Sequence, residues 1–422
     1  MKKRLMLLIY RLLINFILLI SPAILIYRIL NKKEHPTRCL EKIGFFNKKR
    51  NKGKLIWFHG SSVGEILSII PLIEKLEREK YIKQILLTSN TLSSANVFKK
   101  IKLKKTIHQF LPVDSNYITN RFLDYWKPSS AFIIESEIWP NLIINIKKRN
   151  IKLGLINARI TKKSYKRWKK ISFFSKSIFN KFDFCLTQNS ETTNYLKKLE
   201  AINVKKIGNL KFSETSLKNI YNIDNNIKKF FSSKKILFAG ISTHPSEEIF
   251  CSNIHLAIKK KYPNGITIII PRHIHRSASI KEEIEKLDLK VHLHSSNKIK
   301  IDKKTDIYLV DTFGETKSFL KVCKIVFLGG SLIEHGGQNP LEAARFGCKV
   351  IHGPNIKNFY EVYDLLNKNN ISLRIKSINS AKNIIKQNLI RKFSSKTIIN
   401  KLNYIGNKVL INNHKEIIKY IK

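Results

Sequence analysis

Short apolar runs alternate with stretches whose apolar residues recur every three or four positions along most of this 422-residue chain. Runs of Ile, Leu, Phe and Val without a polar face suit strands buried on both sides, and the amphipathic stretches between them suit covering helices. The pattern predicts strands at 55–58, 85–88, 131–135 and 153–157, and a helix over 66–76 with its apolar face at Ile66, Ile69, Ile70, Ile73 and Leu76. A second series opens at 236–239 and continues at 266–270, 307–310, 325–328 and 350–351. Between the two, residues 213–235 are rich in Asn, Ser and Lys and read as a linker. Strand and helix in alternation predict an α/β protein of parallel sheets covered by helices. The expected division is 31–212 as an N-terminal doubly wound domain, 213–235 as linker, and 236–422 as a C-terminal doubly wound domain with helices at its end. Two such halves predict a cleft where strand carboxyl ends face a ligand.

Residues 1–30 break the pattern. A basic start leads into 16 uncharged residues, 12–27, bracketed by Arg11 and Arg28. That falls short of the roughly 20 apolar residues that span a bilayer, although bracketing arginines snorkel and extend the reach. A cleaved signal peptide is the competing reading, but a small-residue cleavage site is missing and Tyr27-Arg28 follows directly. A retained membrane anchor is expected over 1–30, with flanks that also suit a helix lying in the plane of an anionic lipid surface.

Composition narrows the class. With 43% apolar residues and 24 Phe, 14 Tyr and 4 Trp, the chain fills sizeable cores, and 16 Gly with 11 Pro exclude collagen and Pro/Gly-rich disorder. Lys and Arg number 79 against 30 Asp and Glu, a net charge of +49. That field attracts nucleic acid, anionic lipid or phosphorylated substrates without choosing among them, and a composition crowded with Lys, Asn and Ile accounts for part of it. No basic stripe interleaved with aromatics marks a nucleic-acid-binding module, so no nucleic-acid partner is expected. The five cysteines, Cys39, Cys185, Cys251, Cys323 and Cys348, are far apart, which predicts neither a disulfide framework nor a zinc site and fits a reducing cytoplasm. His292 and His294 read as ordinary polar positions on a surface strand.

Four segments carry candidate chemistry. His59-Gly60-Ser61-Ser62-Val63-Gly64-Glu65 lies between the first strand and first helix. Its glycines admit a ligand close to the backbone, and Glu65, favoured as an anion by the helix dipole, can accept a proton from a hydroxyl. The plainer reading makes Glu65 a first-turn helix stabiliser. Glu135-Ser136-Glu137-Ile138-Trp139-Pro140-Asn141 ends a strand. Its carboxylates point together only while the chain stays extended, and one facing a cleft offsets positive charge on a sugar carbon. A polar loop with Trp139 in the core is the alternative. Arg272-His273, after Ile270-Pro271, offers donors to a phosphate. Finally, Gly329-Gly330-Ser331 and Gly336-Gly337-Gln338-Asn339-Pro340-Leu341-Glu342 read as loops before a helix, with Asn339 as N-cap, Pro340 first in the helix, Glu342 three after the cap and Gly347 closing. Such loops leave N–H groups for an anion, and Glu342 suits ribose hydroxyls. Asp311-Thr312-Phe313-Gly314-Glu315 ends another strand and would face the same ligand.

The order of these segments resembles the Kdo (3-deoxy-D-manno-octulosonic acid) transferases of lipopolysaccharide assembly. The matching stretches are WFHGSSVGEILSIIPLI, FLPVDSN, IIESEIWPNLI, INARIT, GNLKF, GISTHPSEE, IIPRHIHR, VDTFGE and FLGGSLIEHGGQNPLEAARFGCKVIHGPNIKNF. The resemblance implies a glycosyltransferase B fold of two Rossmann-like domains facing a cleft. It implies transfer of Kdo from CMP-Kdo to a tetraacylated lipid A precursor, without metal or cofactor, at the cytoplasmic face of the inner membrane. It makes Glu65 the general base and gives Glu135 and Lys211 to the transition state. Arg272, His273, Phe313, Gly314, Glu315, Asn339, Pro340, Leu341 and Glu342 fall around CMP. Phe313 stands where Met is usual, and Gln338 where His is usual. Lys32, Lys33, Lys48, Lys49 and Arg50 are candidates for the phosphates of the acceptor. A glycosyltransferase of this fold using another nucleotide sugar is the alternative, and an inactive membrane scaffold fits poorly with the retained Glu65, Glu135 and Lys211.

Overall fold

The described residues form fourteen strands, all paired in parallel in two sheets. The computed structural model describes residues 2–214, 223–296, 301–390 and 394–421. Unit 1 comprises Met1–Ser216 and Ile405–Lys422; unit 2 is Leu217–Tyr404. In unit 1 the strands are β1 (Leu55–His59), β2 (Gln84–Ser89), β3 (Thr106–Phe110), β4 (Ser130–Ile134), β5 (Lys152–Ala158), β6 (Phe184–Thr187) and β7 (Val204–Lys206), in the order β3-β2-β1-β4-β5-β6-β7. Unit 2 holds β8 (Lys235–Thr243), β9 (Gly265–Pro271), β10 (Val291–Leu293), β11 (Ile307–Leu309), β12 (Ile325–Leu328), β13 (Lys349–His352) and β14 (Ser372–Arg374), in the order β10-β11-β9-β8-β12-β13-β14. In each unit the chain starts in mid-sheet, builds one side, then crosses to the other. The switch therefore falls between β1 and β4 in unit 1 and between β8 and β12 in unit 2.

Two apolar layers cover each sheet because parallel strands present apolar residues to both faces. In unit 1, Trp57, Phe122, Trp126 and Phe179 fill one layer, and Phe58, Ile66, Phe132 and Phe184 fill the other. In unit 2 the two layers centre on Tyr308 with Phe319 and on Phe238 with Phe327.

Two expected boundaries move. The linker expected over 213–235 lies partly outside the described residues, at 215–222, and its end is structured: a helix over Asn225–Ser232 buries Ile227 and Phe231 in unit 2. The C-terminal domain expected over 236–422 also loses its last residues, because the helix Ser395–Ile421 delivers Val409, Ile417 and Ile421 to the second layer of unit 1. Burying each such side chain is worth roughly 1.5–3 kcal/mol. Tyr420 stacks on Phe184 at 4.1 Å, and Gly406 lies so close to Phe212 that a Cβ there would stand 2.4 Å from its carbonyl oxygen.

The amino-terminal segment is one helix, Lys2–Leu30, long and apolar enough to cross a membrane by length and composition. Met6 and Leu7 pack on unit 1, while Leu8, Leu12, Leu13, Phe16 and Leu19 are exposed. Both ends are tied to the same unit. Tyr10 donates to Asp114 at 2.7 Å and Arg11 to Asn141 at 2.9 Å, while Arg28 pairs with Glu34, which also holds Lys42 at 2.7 Å. Nearby, Lys162–Lys170 is a strongly basic helix, followed by an exposed Phe173.

Candidate functional site

The switch point of unit 1 carries two of the four segments. His59 ends β1 and Ile134 ends β4, so 60–65 and 135–139 leave neighbouring strands on the same edge. Ser62 caps the helix Val63–Leu76: its Oγ accepts from the Glu65 N–H at 3.3 Å and donates to Glu65 Oε1 at 2.7 Å. Glu65 Oε2 accepts from the Ser61 N–H at 2.8 Å. Glu65 is thus the first-turn stabiliser of the plainer reading and a half-buried carboxylate of fixed direction. Burial pushes its pKa up, the bonds from Ser62 and Ser61 pull it down, and the carboxylates of Glu135 and Glu137 raise it again.

The paired carboxylates of the second segment do not run together. Glu135 adopts φ +57, a left-handed backbone that ends the strand and separates it from Glu137. Its side chain meets Lys211, Nζ to Oε1 at 2.8 Å. Glu137 instead accepts from Trp139 Nε1 at 3.2 Å, with Asn90 Nδ2 at 3.5 Å and His59 Nε2 at 3.6 Å. Trp139 packs against the core of unit 1.

Lys211, which no spacing picked out, is delivered by Asn157 at the end of β5. Asn157 Oδ1 accepts from the Leu210 N–H at 2.9 Å, and Asn209 Oδ1 accepts from the Lys211 N–H at 2.9 Å. The lysine side chain runs past Gly64, its Cε 3.9 Å from where a Cβ on that glycine would stand. Glu65, Glu135 and Lys211 therefore come together in unit 1. Of the proposed phosphate contacts, Arg50 spends donors on the carbonyls of Trp126 at 2.7 Å and Gly53 at 2.8 Å, while Lys32, Lys33, Lys48 and Lys49 lie at the surface.

Unit 2 gathers the remaining segments around its own switch point. Arg272 and His273 follow β9 and are exposed, with the Arg272 N–H bonded to the Thr243 carbonyl at 2.9 Å. After β12 the backbone passes the end of β8 so closely that a Cβ on Gly329 would stand 2.2 Å from Ser242 O. The helix expected from Pro340 is short, Leu341–Arg345, and its cap falls on Pro340, one residue later than expected. Asn339 still bonds the Leu341 N–H through Oδ1 at 3.1 Å, and Glu342 faces Lys317 at 3.7 Å. Phe313 is 90% exposed, and Gly314 beside it has φ +94. Glu315 accepts from Thr312 Oγ1 and lies 3.0 Å from His294 Nε2.

The reading of His294 as a surface position is corrected here. It is buried, its Nδ1 lies 2.8 Å from Tyr308 OH, and it connects the core of unit 2 to Glu315. The five cysteines are free and buried, and no metal-holding cluster of His, Cys, Asp or Glu occurs among the described residues.

Two doubly wound parallel-sheet units define a protein of the glycosyltransferase B fold, with carboxylates on one unit and Arg-His and glycine-rich loops on the other. A glycosyltransferase from Rickettsia africae shares that fold at a TM-score of 0.52 and 11% identity, over 87% of this chain and 100% of the other. The model of the family "3-Deoxy-D-manno-octulosonic-acid transferase (kdotransferase)" matches residues 37–214. A probable mitochondrial 3-deoxy-D-manno-octulosonic acid transferase of Arabidopsis thaliana is 33% identical over 354 residues, 81% of this chain and 78% of the relative. The 3-deoxy-D-manno-octulosonic acid transferase of Rickettsia bellii is 32% identical over 369 residues, 86% of each chain. The chain belongs to the 3-deoxy-D-manno-octulosonic acid transferase family of glycosyltransferases.

Proposed function

We propose that this chain moves Kdo from CMP-Kdo to the tetraacylated lipid A precursor, lipid IVA, releasing CMP and inverting the anomeric carbon. The observation that carries the reading is the Glu65 carboxylate, held by Ser61 and Ser62 on the same sheet edge as the Lys211–Glu135 pair, in a member of this family. Glu65 takes the proton of the acceptor hydroxyl, whose oxygen bonds to the anomeric carbon of Kdo. The bond from that carbon to the CMP phosphate oxygen breaks, and its electron pair leaves with CMP. Glu135, aimed by Lys211, offsets the positive charge that develops on the sugar carbon. Arg272, His273, Phe313, Gly314, Glu315, Asn339, Pro340, Leu341 and Glu342 bind CMP, with Arg272 meeting the phosphate charge, so this route assigns no step to a metal.

The acceptor is a lipid, and the apolar face of the helix Lys2–Leu30 is where the enzyme meets it. Because both ends of that helix are tied to unit 1, a helix lying in the interface on anionic inner-membrane lipid fits better than one crossing it, with the catalytic units on the cytoplasmic face. Purified enzyme incubated with CMP-Kdo and lipid IVA should yield lipid heavier by whole Kdo residues in mass spectrometry. Consumption of UDP-sugars with CMP-Kdo untouched would reject the donor. Glu65→Gln should lower turnover by about 10²–10⁴-fold with the fold intact, and near-normal turnover would reject the base.

A further inference from the structure

Three loops at the switch point of unit 2 bring His244, His275 and His335, which the proposed CMP contacts leave unused, beside Arg272 and His273, which those contacts include. His244 follows β8, Arg272, His273 and His275 follow β9, and His335 lies in the long loop after β12. Strand carboxyl ends at a switch point are where open α/β sheets take ligands. The His244 ring stands 4.5 Å from the His335 ring and 6.0 Å from that of His273, which is 5.6 Å from His275. Gly330 lies against both of the first two rings: a Cβ there would stand 3.0 Å from His335 and 3.4 Å from His244, and φ is +66. A side chain at that position would push the rings apart.

Two buried carboxylates nearby are already committed. Glu247, fully buried, accepts the N–H groups of His244, Gly330, Ser331 and Leu332 at 2.7–3.0 Å, and so fixes the β8 and β12 loops to each other. Glu248 pairs with Arg276 at 3.1 Å. Arg272, His273, His275 and His335 are exposed, with the exposed Glu334 beside them. Burial, then the neighbouring His335, His273, Arg272 and Arg276, hold the His244 pKa down to about 4. An anion arriving beside Arg272 and Arg276 offsets the positive charge around that ring.

We propose that His244 and His335 contact the donor and, with Arg272 and His273, seat the carboxylate of its acidic sugar alongside the phosphate. This inference rests on the CMP-Kdo reading above. The anomeric carbon of Kdo carries a carboxylate next to the phosphodiester, so two anions arrive side by side, and a donor with a neutral sugar lacks the first. The cluster then selects an acidic sugar as well as a nucleotide.

The test is steady-state kinetics of the full-length enzyme in detergent micelles, with competitive inhibition by CMP, which has the phosphate and no sugar carboxylate. His335→Gln and His335→Ala, at an exposed position, leave the core alone; His244→Asn is compared at the same urea midpoint as wild type. Each variant should raise KM for CMP-Kdo by about 10- to 100-fold, the worth of a hydrogen bond to a charged group, with kcat within about threefold. The inhibition constant of CMP should rise far less. The proposal is overturned if KM for CMP-Kdo stays within about twofold in both His335 variants, or if CMP inhibition weakens as much as KM rises. A wild-type enzyme that turns over no CMP-Kdo would instead reject the donor reading itself.

Discussion

Glu247→Gln tests whether one carboxylate holds the loops of unit 2 together. In the native chain Oε2 accepts from His244 at 3.0 Å and Gly330 at 2.7 Å, and Oε1 accepts from Ser331 and Leu332 at 3.0 Å each. An amide keeps one acceptor oxygen and turns an NH2 group toward the other two N–H donors, whichever way it is flipped. Two buried N–H groups are then orphaned, at about 1–3 kcal/mol each, so the expected loss is about 2–6 kcal/mol. With a urea slope of about 3 kcal/mol/M, the midpoint of unit 2 should fall by ~1–2 M. The two units can be read separately, because the four tryptophans, Trp57, Trp126, Trp139 and Trp168, all lie in unit 1. Far-UV circular dichroism should show a component moved to lower urea, while tryptophan fluorescence reports unit 1. A Glu247→Gln protein whose two transitions both stay within about 0.3 M of wild type would refute the reasoning, since that shift is under 1 kcal/mol at the same slope.

Three further outcomes are expected. Lys211→Met leaves Glu135 without its 2.8 Å partner and should lower single-turnover rates by about 10²–10³-fold, with tryptophan fluorescence unchanged. The general base must be ionised to act, so the rate should rise with pH through the Glu65 pKa; burial chiefly, with Glu135 and Glu137, sets that acid limb above the ordinary carboxylate range, and Glu137→Gln should move it to lower pH in a kcat–pH profile. Phe16→Glu with Leu19→Glu, both on the exposed apolar face of the amino-terminal helix, should weaken co-sedimentation with phosphatidylglycerol vesicles by about tenfold or more while leaving unfolding midpoints in place.

Parallel strands buried on both faces are legible because each is an apolar run, and the nine predicted from such runs all correspond to strands of the structure. Most of those missed lack an apolar run, the short and fully buried Phe184–Thr187 being the exception. Thr106–Phe110 buries Thr106, His108 and Gln109, so its middle reads as polar, and Val204–Lys206 and Ser372–Arg374 are three-residue edge strands with little apolar pattern. The amphipathic spacing of the last helix says that one face is buried but not in which sheet, and that is why its end was given to the wrong unit. The site divides along the same line. Glu65 and Glu135 are visible because one opens the helix after β1 and the other follows the end of β4, places that local pattern marks. Lys211 and His294 are not, since the first is aimed by Asn157 and Asn209 and the second is buried by a tyrosine 14 residues away. Residues whose position depends on a distant partner carry no local signal, so Lys211 is visible only through the resemblance to a family, and His294 only in the folded structure. His244 and His335 belong to this second kind: 91 positions apart in sequence, they meet only because β8 and β12 are neighbours in the sheet.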